Sequence, residues 1–350
     1  MKTYTVGVIG CGRIASLLEQ EPERGTPNTH AGCYDHCDRT QIVAGADAND
    51  ERRLAFGQRW DVATMHVDWQ DMLKNDTLDI VSVCTYPVPH RDIIVAAALS
   101  GVKAIFCEKS MAVTLRQADE MIDVCEKNGV KLSINHGRRW DWQYRKIKEL
   151  LDQKTIGDLQ AMSLNYTAGL ANNGTHYFDT LRYFAGEVDW AIGRLQDPDA
   201  LDPRGSGLFH FQSGIDAVVN GIAGATSRYL FELIGAEGRI AVTNGRGPEF
   251  EFYVNGKAQP FPEVPEEHRL NTFGSGRCVI PGSVEAIVES LDNNEDTVST
   301  GYDGRAALEM VISLHQSEQQ GNVRVDFPLV DRDTSVLVKD ADFISAAVPV

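Results

Sequence analysis

Short apolar runs alternate with amphipathic stretches in the first part of the chain. Runs rich in β-branched residues predict strands at residues 5–9, 41–46, 80–84, 104–107 and 131–134. Helical periodicity between them predicts helices at residues 51–60, 69–75, 90–100 and 115–128. Strands that alternate with helices form βαβ units, so this part predicts a doubly wound parallel sheet that ends near residue 135.

The pattern changes after a predicted helix at residues 142–153. Alternating positions and glycine-bearing turns predict a mostly antiparallel sheet, with strands at residues 159–168, 207–211, 217–222, 228–234, 239–243 and 249–254. Late helices at residues 282–293 and 304–320 are expected to cover one face of this sheet. The other face is then free to bury against a second subunit, which predicts a homo-oligomer, either a dimer or a tetramer.

The predicted fold class is α/β with two domains. A Rossmann domain, with its doubly wound parallel sheet, is expected over residues 1–135. An α+β domain with a large open, mostly antiparallel sheet is expected over residues 136–350, for substrate binding and oligomerisation. The length of 350 residues suits two domains of ordinary size.

Charge and cysteine content narrow the classes of partner. The formal net charge of −17 would repel polyanions, so neither nucleic acid nor an anionic membrane surface is expected as a partner. The absence of a signal-peptide pattern, and of an apolar run of about 18 residues, predicts a cytoplasmic protein. Seven cysteines, several in apolar runs, fit reduced core thiols. No His/Cys/Asp cluster has convincing ligand spacing, so no metal is expected.

A glycine fingerprint follows the first predicted strand. Residues 10–15 have the sequence GCGRIA, a G-x-G-x-x-A pattern that is expected to open a helix. Gly10 permits a tight turn, and Gly12 lets the backbone approach a pyrophosphate at the helix N-terminus. The pattern predicts a dinucleotide site with Arg13 and Ile14 in the same loop, although a tight turn without a ligand has the same sequence.

Asp47 is the candidate for holding the adenosine ribose. A dinucleotide fingerprint predicts an acidic residue at the end of the second strand, and Asp47 stands there but about a dozen residues late, which we attribute to an insertion within residues 16–29. Its carboxylate would repel the 2′-phosphate of NADP, so NAD is the preferred cofactor. Arg52 and Arg53 are interpreted as solvated helix residues, and a turn-initiating role for Asp47 stays open.

Four further stretches resemble one family of oxidoreductases. In this sequence they are CTYP at 84–87 with His90, EKS at 108–110, NNGTHYFD at 172–179 and HAGCY at 30–34. Together with the fingerprint they resemble the glucose-fructose oxidoreductase, inositol dehydrogenase and rhizopine-catabolism family, known as Gfo/Idh/MocA. The resemblance covers nearly the whole chain and implies a substrate held between a Rossmann domain and an open-sheet domain.

The resemblance gives Lys109 a catalytic role. Lys109 follows an apolar strand, so it should emerge at the carboxyl edge of the sheet, where ligands bind. There it can donate a hydrogen bond to an oxygen that gains charge as hydride moves, although a surface lysine is the alternative. Thr85, His90 and Glu108 are expected beside the cofactor, Glu108 to orient its surroundings rather than to react.

His176 is the expected proton shuttle, because an imidazole titrates near neutral pH. Asn172 lies four residues earlier, so both share one face if the segment is helical. Many family members have Asp at the position of Asn172, and an amide cannot stabilise an imidazolium as a carboxylate does. Ser110 also departs from the family's E-K-P. A packing or capping role for His176 is the alternative.

Three further residues are candidates for substrate contact. Arg138 and Arg139 follow the last predicted Rossmann strand, where one of them would contact an acidic or phosphorylated group. Tyr166, on the first strand of the second domain, would line the pocket. The alternative role for the two arginines is that of a structural cation. The alternative for Tyr166 is that of an aromatic residue packed in the sheet.

The resemblance leaves three functions open. The leading one is reversible oxidation of a secondary hydroxyl of a sugar or cyclitol by NAD. The second is an NAD-dependent glycoside hydrolase that oxidises the sugar transiently, eliminates the aglycone and restores the alcohol. The third is a non-catalytic, nucleotide-sensing regulator, which the presence of both Lys109 and His176 disfavours.

Overall fold

The computed structural model describes residues 2–21, 23–224, 229–244, 248–273 and 277–337. It divides the chain into two compact units. Unit 1 comprises the described residues of Met1–Ala112, Gln117–Trp142 and Val264–Gly304, and unit 2 those of Val113–Arg116, Gln143–Glu263 and Arg305–Val350. Both units are discontinuous in sequence, so the single boundary drawn near residue 135 does not describe this division.

Unit 1 contains a six-stranded sheet with strands in the order β3-β2-β1-β4-β5-β6, and every pairing is parallel. The strands are β1 (Tyr4–Ile9), β2 (Thr40–Ala46), β3 (Thr64–His66), β4 (Ile80–Val83), β5 (Ala104–Cys107) and β6 (Lys131–Ile134). This is the Rossmann order, which confirms the predicted doubly wound sheet. The prediction missed β3, a three-residue edge strand.

The described residues form five α-helices between these strands, and all but the first match the predicted ones closely. They are α1 (His30–His36), α2 (Asp50–Trp60), α3 (Trp69–Asn75), α4 (His90–Leu99) and α5 (Leu115–Lys127). The cap of α2 shows how local sequence sets a boundary: the side chain of Asn49 accepts the N–H of Arg52 over 2.9 Å.

Burial explains why β1 lies at the centre of the sheet. Tyr4, Val6, Val8 and Ile9 are at most 2% exposed, because both faces of a parallel sheet are covered. Full burial of one such aliphatic side chain contributes about 1.5–3 kcal/mol. The apolar residues of β1 are therefore stabilised by burial within the sheet.

The predicted helix does not begin at the glycine fingerprint. Turns and a short 3-10 segment (Leu17–Gln20) follow it, and α1 begins only at His30. The N–H groups of His30 and Ala31 donate to the carbonyl oxygens of Ile14 and Ala15 over 3.1 and 3.0 Å. In an uninterrupted helix residues 18 and 19 would make these bonds, so twelve residues are inserted before the helix resumes. The predicted insertion within residues 16–29 is confirmed.

Unit 2 contains a nine-stranded sheet in the order β14-β13-β12-β11-β7-β10-β9-β8-β15. Only the pairing of β7 with β10 is parallel, which confirms a mostly antiparallel sheet. The strands are β7 (Leu159–Tyr166), β8 (Val188–Leu195), β9 (Gly205–Phe211), β10 (Asp216–Gly221), β11 (Tyr229–Gly235), β12 (Gly238–Asn244), β13 (Pro248–Val254), β14 (Lys257–Gln259) and β15 (Val325–Asp326). The prediction missed β8, β14 and β15. Arg228 and residues 245–247, to which predicted elements extended, lie outside the described residues.

The later helices are α6 (Trp142–Asp152), α7 (Thr175–Ala185), α8 (Pro281–Asn293) and α9 (Gly301–Gln319). The prediction that α8 covers the second sheet is wrong, because its apolar side chains, among them Val284 and Ile287, join the core of the Rossmann sheet. For α9 the prediction is confirmed: Leu314 lies against the sheet glycines Gly193 and Gly207, where no larger side chain would fit.

Candidate active site

The glycine turn lies at the carboxyl end of β1. Gly10 has φ +86°, a conformation that favours glycine, and its N–H donates to the carbonyl of Ala46 over 2.8 Å. A Cβ on Gly10 would lie 3.0 Å from the Cys84 backbone carbon, whereas the nearest atom to a Cβ on Gly12 is a guanidinium nitrogen of Arg52 at 4.0 Å. Gly10 is therefore needed by the fold, and Gly12 leaves room above the turn.

Asp47 extends from the end of β2 to the glycine turn. One of its carboxylate oxygens accepts the N–H of Cys11 over 2.7 Å, and the other accepts the N–H of Asn49 over 2.8 Å. A carboxylate has about four lone-pair sites, so it keeps capacity for ribose hydroxyls. The prediction that Arg53 is solvated is wrong: its side chain is 13% exposed, pairs with Asp50 and donates to the Asp47 carbonyl.

Arg13 and Ile14 complete the predicted cofactor loop. Arg13 is exposed and forms an ion pair with Glu21, within the inserted segment, over 2.7 Å. Ile14 is partly buried and contributes its carbonyl to the resumed helix. Their contact with a cofactor stays a prediction.

Thr85 and His90 follow β4 and differ in what they offer a ligand. The Thr85 hydroxyl is buried beside Gly10 and has no hydrogen-bond partner among the described residues. The His90 ring is fully buried, with Nε2 3.0 Å from the Thr85 carbonyl oxygen and Nδ1 3.0 Å from that of Ser110. Burial lowers the pKa of His90. Thr85 fits a cofactor contact, whereas the expectation for His90 is corrected, because its ring joins two loops.

Glu108 and Lys109 follow β5 at the same carboxyl edge. Glu108 is 6% exposed, and its Oε1 lies 3.0 Å from His30 Nε2 and 2.7 Å from Asn135 Nδ2. Burial alone would raise its pKa, but the contacts with His30 and Asn135 and the charge of Lys109 outweigh burial and lower it. Glu108 is thus a buried carboxylate that orients its neighbours, in line with the predicted role.

Asn172 and His176 lie in unit 2. A π-helical turn (Leu170–Gly174) carries Asn172 and continues into α7, which carries His176. The predicted helical segment is therefore present. The carboxylate of Asp202 accepts the N–H groups of Ala171 and Asn172 over 2.7 and 3.0 Å, and so fixes the start of this segment. Asn172 is exposed and His176 is half-buried.

The structure contradicts two of the predicted substrate contacts. Tyr166 is completely buried, and its hydroxyl donates to the Gly205 carbonyl over 2.7 Å, so it is a core residue. Arg139 is 7% exposed and pairs with Asp303 over 3.2 Å, so it is a structural cation. Arg138 is partly exposed, with its guanidinium carbon 5.9 Å from the centre of the Phe273 ring. Arg138 alone stays a candidate.

The described residues offer neither a metal centre nor a membrane-spanning helix. Within the described ranges, no group of three or more His, Cys, Asp or Glu side chains could hold a metal ion. None of the helices in the described part of the chain is long and apolar enough to cross a membrane. All seven cysteines are free thiols, and five of them are buried.

Sequence reasoning missed several residues that support the site. Ser82, Asn135 and Asp202 have no motif around them, and their contacts join positions 27 to 52 residues apart along the chain. His30 was noticed only as part of the HAGCY resemblance, with no role assigned. Glu19 could have been suspected only as an acidic residue inside the insertion.

Comparisons with known proteins agree with the Rossmann order of the first sheet. Residues 4–136 match the family model described as an oxidoreductase family with an NAD-binding Rossmann fold. D-apiose dehydrogenase of Paraburkholderia graminis is 28% identical over 269 residues, which cover 69% of this chain and 68% of the relative. Myo-inositol 2-dehydrogenase of Thermotoga maritima is 28% identical over 269 residues, with 69% and 75% covered.

A solved structure extends the likeness to the whole fold. The WlbA dehydrogenase of Bordetella pertussis, solved with NADH and UDP-GlcNAcA, has a TM-score of 0.75 at 18% identity, with 94% of this chain and 100% of that chain covered. At this identity the likeness shows the fold alone. Residues 4–136 thus belong to the Gfo/Idh/MocA family of NAD-binding oxidoreductases, and over a longer stretch the chain is similar to dehydrogenases of that kind.

Proposed function

We propose that the protein is a dehydrogenase that transfers hydride between NAD and a secondary hydroxyl of a sugar, a sugar derivative or a cyclitol. The observation that carries the proposal is the carboxyl edge of the Rossmann sheet. There the open space above Gly12, the unpartnered hydroxyl of Thr85 and the Glu108-Lys109 pair follow neighbouring strands. Ligands of doubly wound sheets bind at this edge.

The residues present fit a bound dinucleotide. Gly12 leaves room for a pyrophosphate, Thr85 offers a hydroxyl that otherwise lacks a partner, and Asp47 offers free carboxylate capacity to a ribose. When bound, NAD supplies the hydride acceptor. Asp47 also favours NAD over NADP, because its charge would repel a 2′-phosphate.

Lys109 and His176 each have a role in moving the proton. The Lys109 ammonium donates a hydrogen bond to the substrate oxygen and stabilises the charge that develops there. His176 accepts the hydroxyl proton as a base. Asn172, which replaces a family Asp, hydrogen-bonds a substrate hydroxyl instead of pairing with an imidazolium. Asn172, His176 and Arg138 are the proposed substrate contacts.

The names of two relatives support the proposed substrate class. They are named as dehydrogenases of D-apiose and of myo-inositol, which are both polyhydroxylated molecules. Exposed or partly exposed donors and acceptors, such as Arg138 in unit 1 and Asn172 in unit 2, suit hydroxyl-rich ligands. Which sugar or cyclitol reacts is a question for assay.

The test is a screen of free aldoses, ketoses, inositols and chromogenic glycosides with NAD+, followed at 340 nm and at the absorbance of the released aglycone. We expect NADH to form with at least one free polyol. No NADH from any alcohol, and no NADH consumption with the matching ketones, would overturn the proposal. Aglycone release without net NADH would identify an NAD-dependent glycosidase instead.

We further propose a homo-oligomer that forms through the outer face of the second sheet. Ile192, Leu208 and Val218 are directly opposite one another on β8, β9 and β10, and Val218 is 54% exposed. Leu230 and Ile234 add exposed apolar surface on β11. Light scattering should give a dimer or tetramer that Val218→Asp dissociates, and a monomeric parent protein would contradict the proposal.

We also propose that the protein is located in the cytoplasm. Its seven free cysteines, five of them in the core, suit a reducing compartment. Fractionation of cells that produce the protein from its own gene would test this, and recovery outside the cytoplasm would contradict it.

A further inference from the structure

A chain of buried polar side chains lies behind Glu108, the sequence neighbour of Lys109. His30 Nδ1 lies 2.7 Å from Ser82 Oγ, and His30 Nε2 lies 3.0 Å from Glu108 Oε1. Asn135 Nδ2 donates to the same Glu108 oxygen over 2.7 Å. All four of these residues are at most 6% exposed, and they come from α1, β4 and the ends of β5 and β6. Four separate elements therefore contribute to one hydrogen-bonded network around this carboxylate.

The acceptor character of Glu108 determines which nitrogen of His30 carries the hydrogen. An ionised carboxylate can only accept, so Nε2 must donate to Glu108, while Nδ1 lies within hydrogen-bond distance of the Ser82 hydroxyl. The Cys84 thiol, 3.8 Å from Ser82 Oγ, can donate to that oxygen in turn. The bond between His30 and Glu108 thus has one direction, from the ring N–H to the carboxylate.

Glu108 is the buried anion beside Lys109. The charge of Lys109 lowers the pKa of Glu108, as do the contacts with His30 and Asn135. The other titratable groups that interact electrostatically with this carboxyl are His90 and the thiols of Cys84, Cys107 and Cys278. Burial lowers the pKa of His90 and raises that of each thiol, so these groups are uncharged near neutral pH.

The inserted segment holds His30 in place. Glu19 Oε1 accepts the N–H groups of Asn28 and Thr29 over 2.5 and 2.9 Å, immediately before α1 begins. The N–H of His30 donates to the Ile14 carbonyl over 3.1 Å, and its ring centre lies 4.6 Å from that of Phe106. Both the backbone and the ring of His30 are therefore fixed relative to the strands.

We propose that His30 is a positioning residue for Lys109, which acts by holding the Glu108 carboxylate in one orientation behind the lysine. The donor from His30 adds to the donor from Asn135 at the same buried oxygen, and a buried charge that loses such compensation neutralises or moves. The Lys109 ammonium then keeps a fixed anionic neighbour and a fixed direction. The catalytic consequence rests on the proposed function, whereas the state of Glu108 is measurable without turnover.

The kinetic test compares His30→Leu, which removes both hydrogen bonds, with His30→Gln, whose amide can still donate to Glu108. We expect His30→Leu to lower kcat per NAD-binding site by about 10- to 100-fold, the range for a misplaced catalytic group. KM and the Kd of NAD should change by less than about twofold, and His30→Gln should recover most of kcat. A merely structural role would lower Tm and the number of NAD-binding sites and leave kcat per site unchanged, which would overturn the proposal.

The second readout is the carboxyl 13C resonance of Glu108 in protein labelled with 13C-glutamate, assigned by its loss in Glu108→Gln. We expect an ionised carboxylate at pH 7 in the parent protein and in His30→Gln, and a raised pKa of Glu108 in His30→Leu. An unchanged titration in His30→Leu would overturn the proposal even if no polyol is a substrate. If His30→Leu does not fold, Asn135→Leu removes the other donor and should raise the pKa in the same direction. An unchanged titration there would equally contradict it.

Discussion

Two turns at the carboxyl edge of the Rossmann sheet are held in different ways. The glycine turn, residues 10–15, is fixed by backbone geometry and by the end of the adjacent strand, through the carbonyl of Ala46 and the carboxylate of Asp47. The turn after β5, residues 108–111, is fixed by side chains from distant elements, above all His30 and His90. One turn is a backbone cradle, and the other is a side-chain network.

We infer that the glycine turn serves cofactor binding and that the turn after β5 serves the chemical step. A backbone cradle suits a pyrophosphate, which needs close approach and N–H groups more than particular side chains. A side-chain network suits a reacting group, whose direction must be fixed to a fraction of an ångström. Substitutions in the glycine turn should therefore change NAD affinity, and those in the second turn should change kcat.

Lys109→Ala should have the largest effect. Loss of the ammonium removes the donor to the substrate oxygen, so kcat should fall by about 100-fold or more. The Kd of NAD, measured by fluorescence titration, should stay within about twofold of the parent value. Lys103→Ala, which removes an exposed lysine paired with Asp79 just before β5, is the control and should leave both quantities unchanged. A comparable loss of NAD affinity in Lys109→Ala would contradict the assignment of the turn after β5 to the chemical step rather than to cofactor binding.

Gly12→Ala should come next and act on the other turn. A Cβ there meets nothing closer than the Arg52 guanidinium at 4.0 Å, so Tm without ligand should not change. The same Cβ would occupy the space of a bound pyrophosphate, so the Kd of NAD should rise by at least about tenfold, equivalent to about 1.4 kcal/mol. Unchanged affinity in calorimetric titrations would show that the cofactor does not approach this turn.

Asp47→Asn should have a smaller effect, on cofactor choice. The amide oxygen can still accept the Cys11 N–H, whereas the bond from the Asn49 N–H is lost, so the turn should persist with one hydrogen bond fewer. Loss of the charge weakens the bond to the ribose hydroxyls and removes repulsion of a 2′-phosphate. We expect the ratio of NADP to NAD affinity to rise by about tenfold, about the value of one charged hydrogen bond. Asp50→Asn, at an exposed carboxylate in the next helix, should leave the ratio unchanged.

Gly10→Ala should act first on stability, and it should weaken NAD binding less than Gly12→Ala does, because its Cβ meets residues 84 and 85. At Gly10, φ +86° and contacts of 3.0 Å with residues 84 and 85 both oppose a side chain. Gly101→Ala is the matched control, because φ is +93° there but no atom lies within 4 Å. The control should lose about 1–2 kcal/mol in urea unfolding, and Gly10→Ala should lose more. Equal losses would mean that the close approach to β4 contributes nothing.

The contrast between local backbone patterns and long-range contacts also explains how much of the fold the sequence could predict. Elements with strong local patterns, such as β1 and α5, were predicted to within a few residues. Short edge strands were missed, because two or three residues carry no periodicity: β3, β14 and β15 are of this kind. The role of α8 was wrong because helical periodicity shows an apolar face without showing which sheet it covers.

The residues of the candidate site also fall into those that local sequence predicts and those that it does not. Gly10 and Gly12 were found by their spacing after the first strand, and Asp47 by its place at the end of the second strand, although the insertion makes its spacing longer than the fingerprint predicts. The contacts of His30 with Ser82 and Glu108 were not found, because they join residues 52 and 78 positions apart. Tyr166 and Arg139 were placed in the site by their position on the chain, but burial and internal partners assign both to the core.

The most direct test of the account is the stoichiometry of the reaction with a polyol substrate deuterated at the carbinol carbon. Purified protein, NAD+ and this substrate would be sampled over time for nicotinamide and product by mass spectrometry. The account predicts one deuterated NADH for each molecule of ketone formed. Product that accumulates without net deuterated NADH, or NADH without the label, would contradict hydride transfer from a secondary hydroxyl as the net reaction.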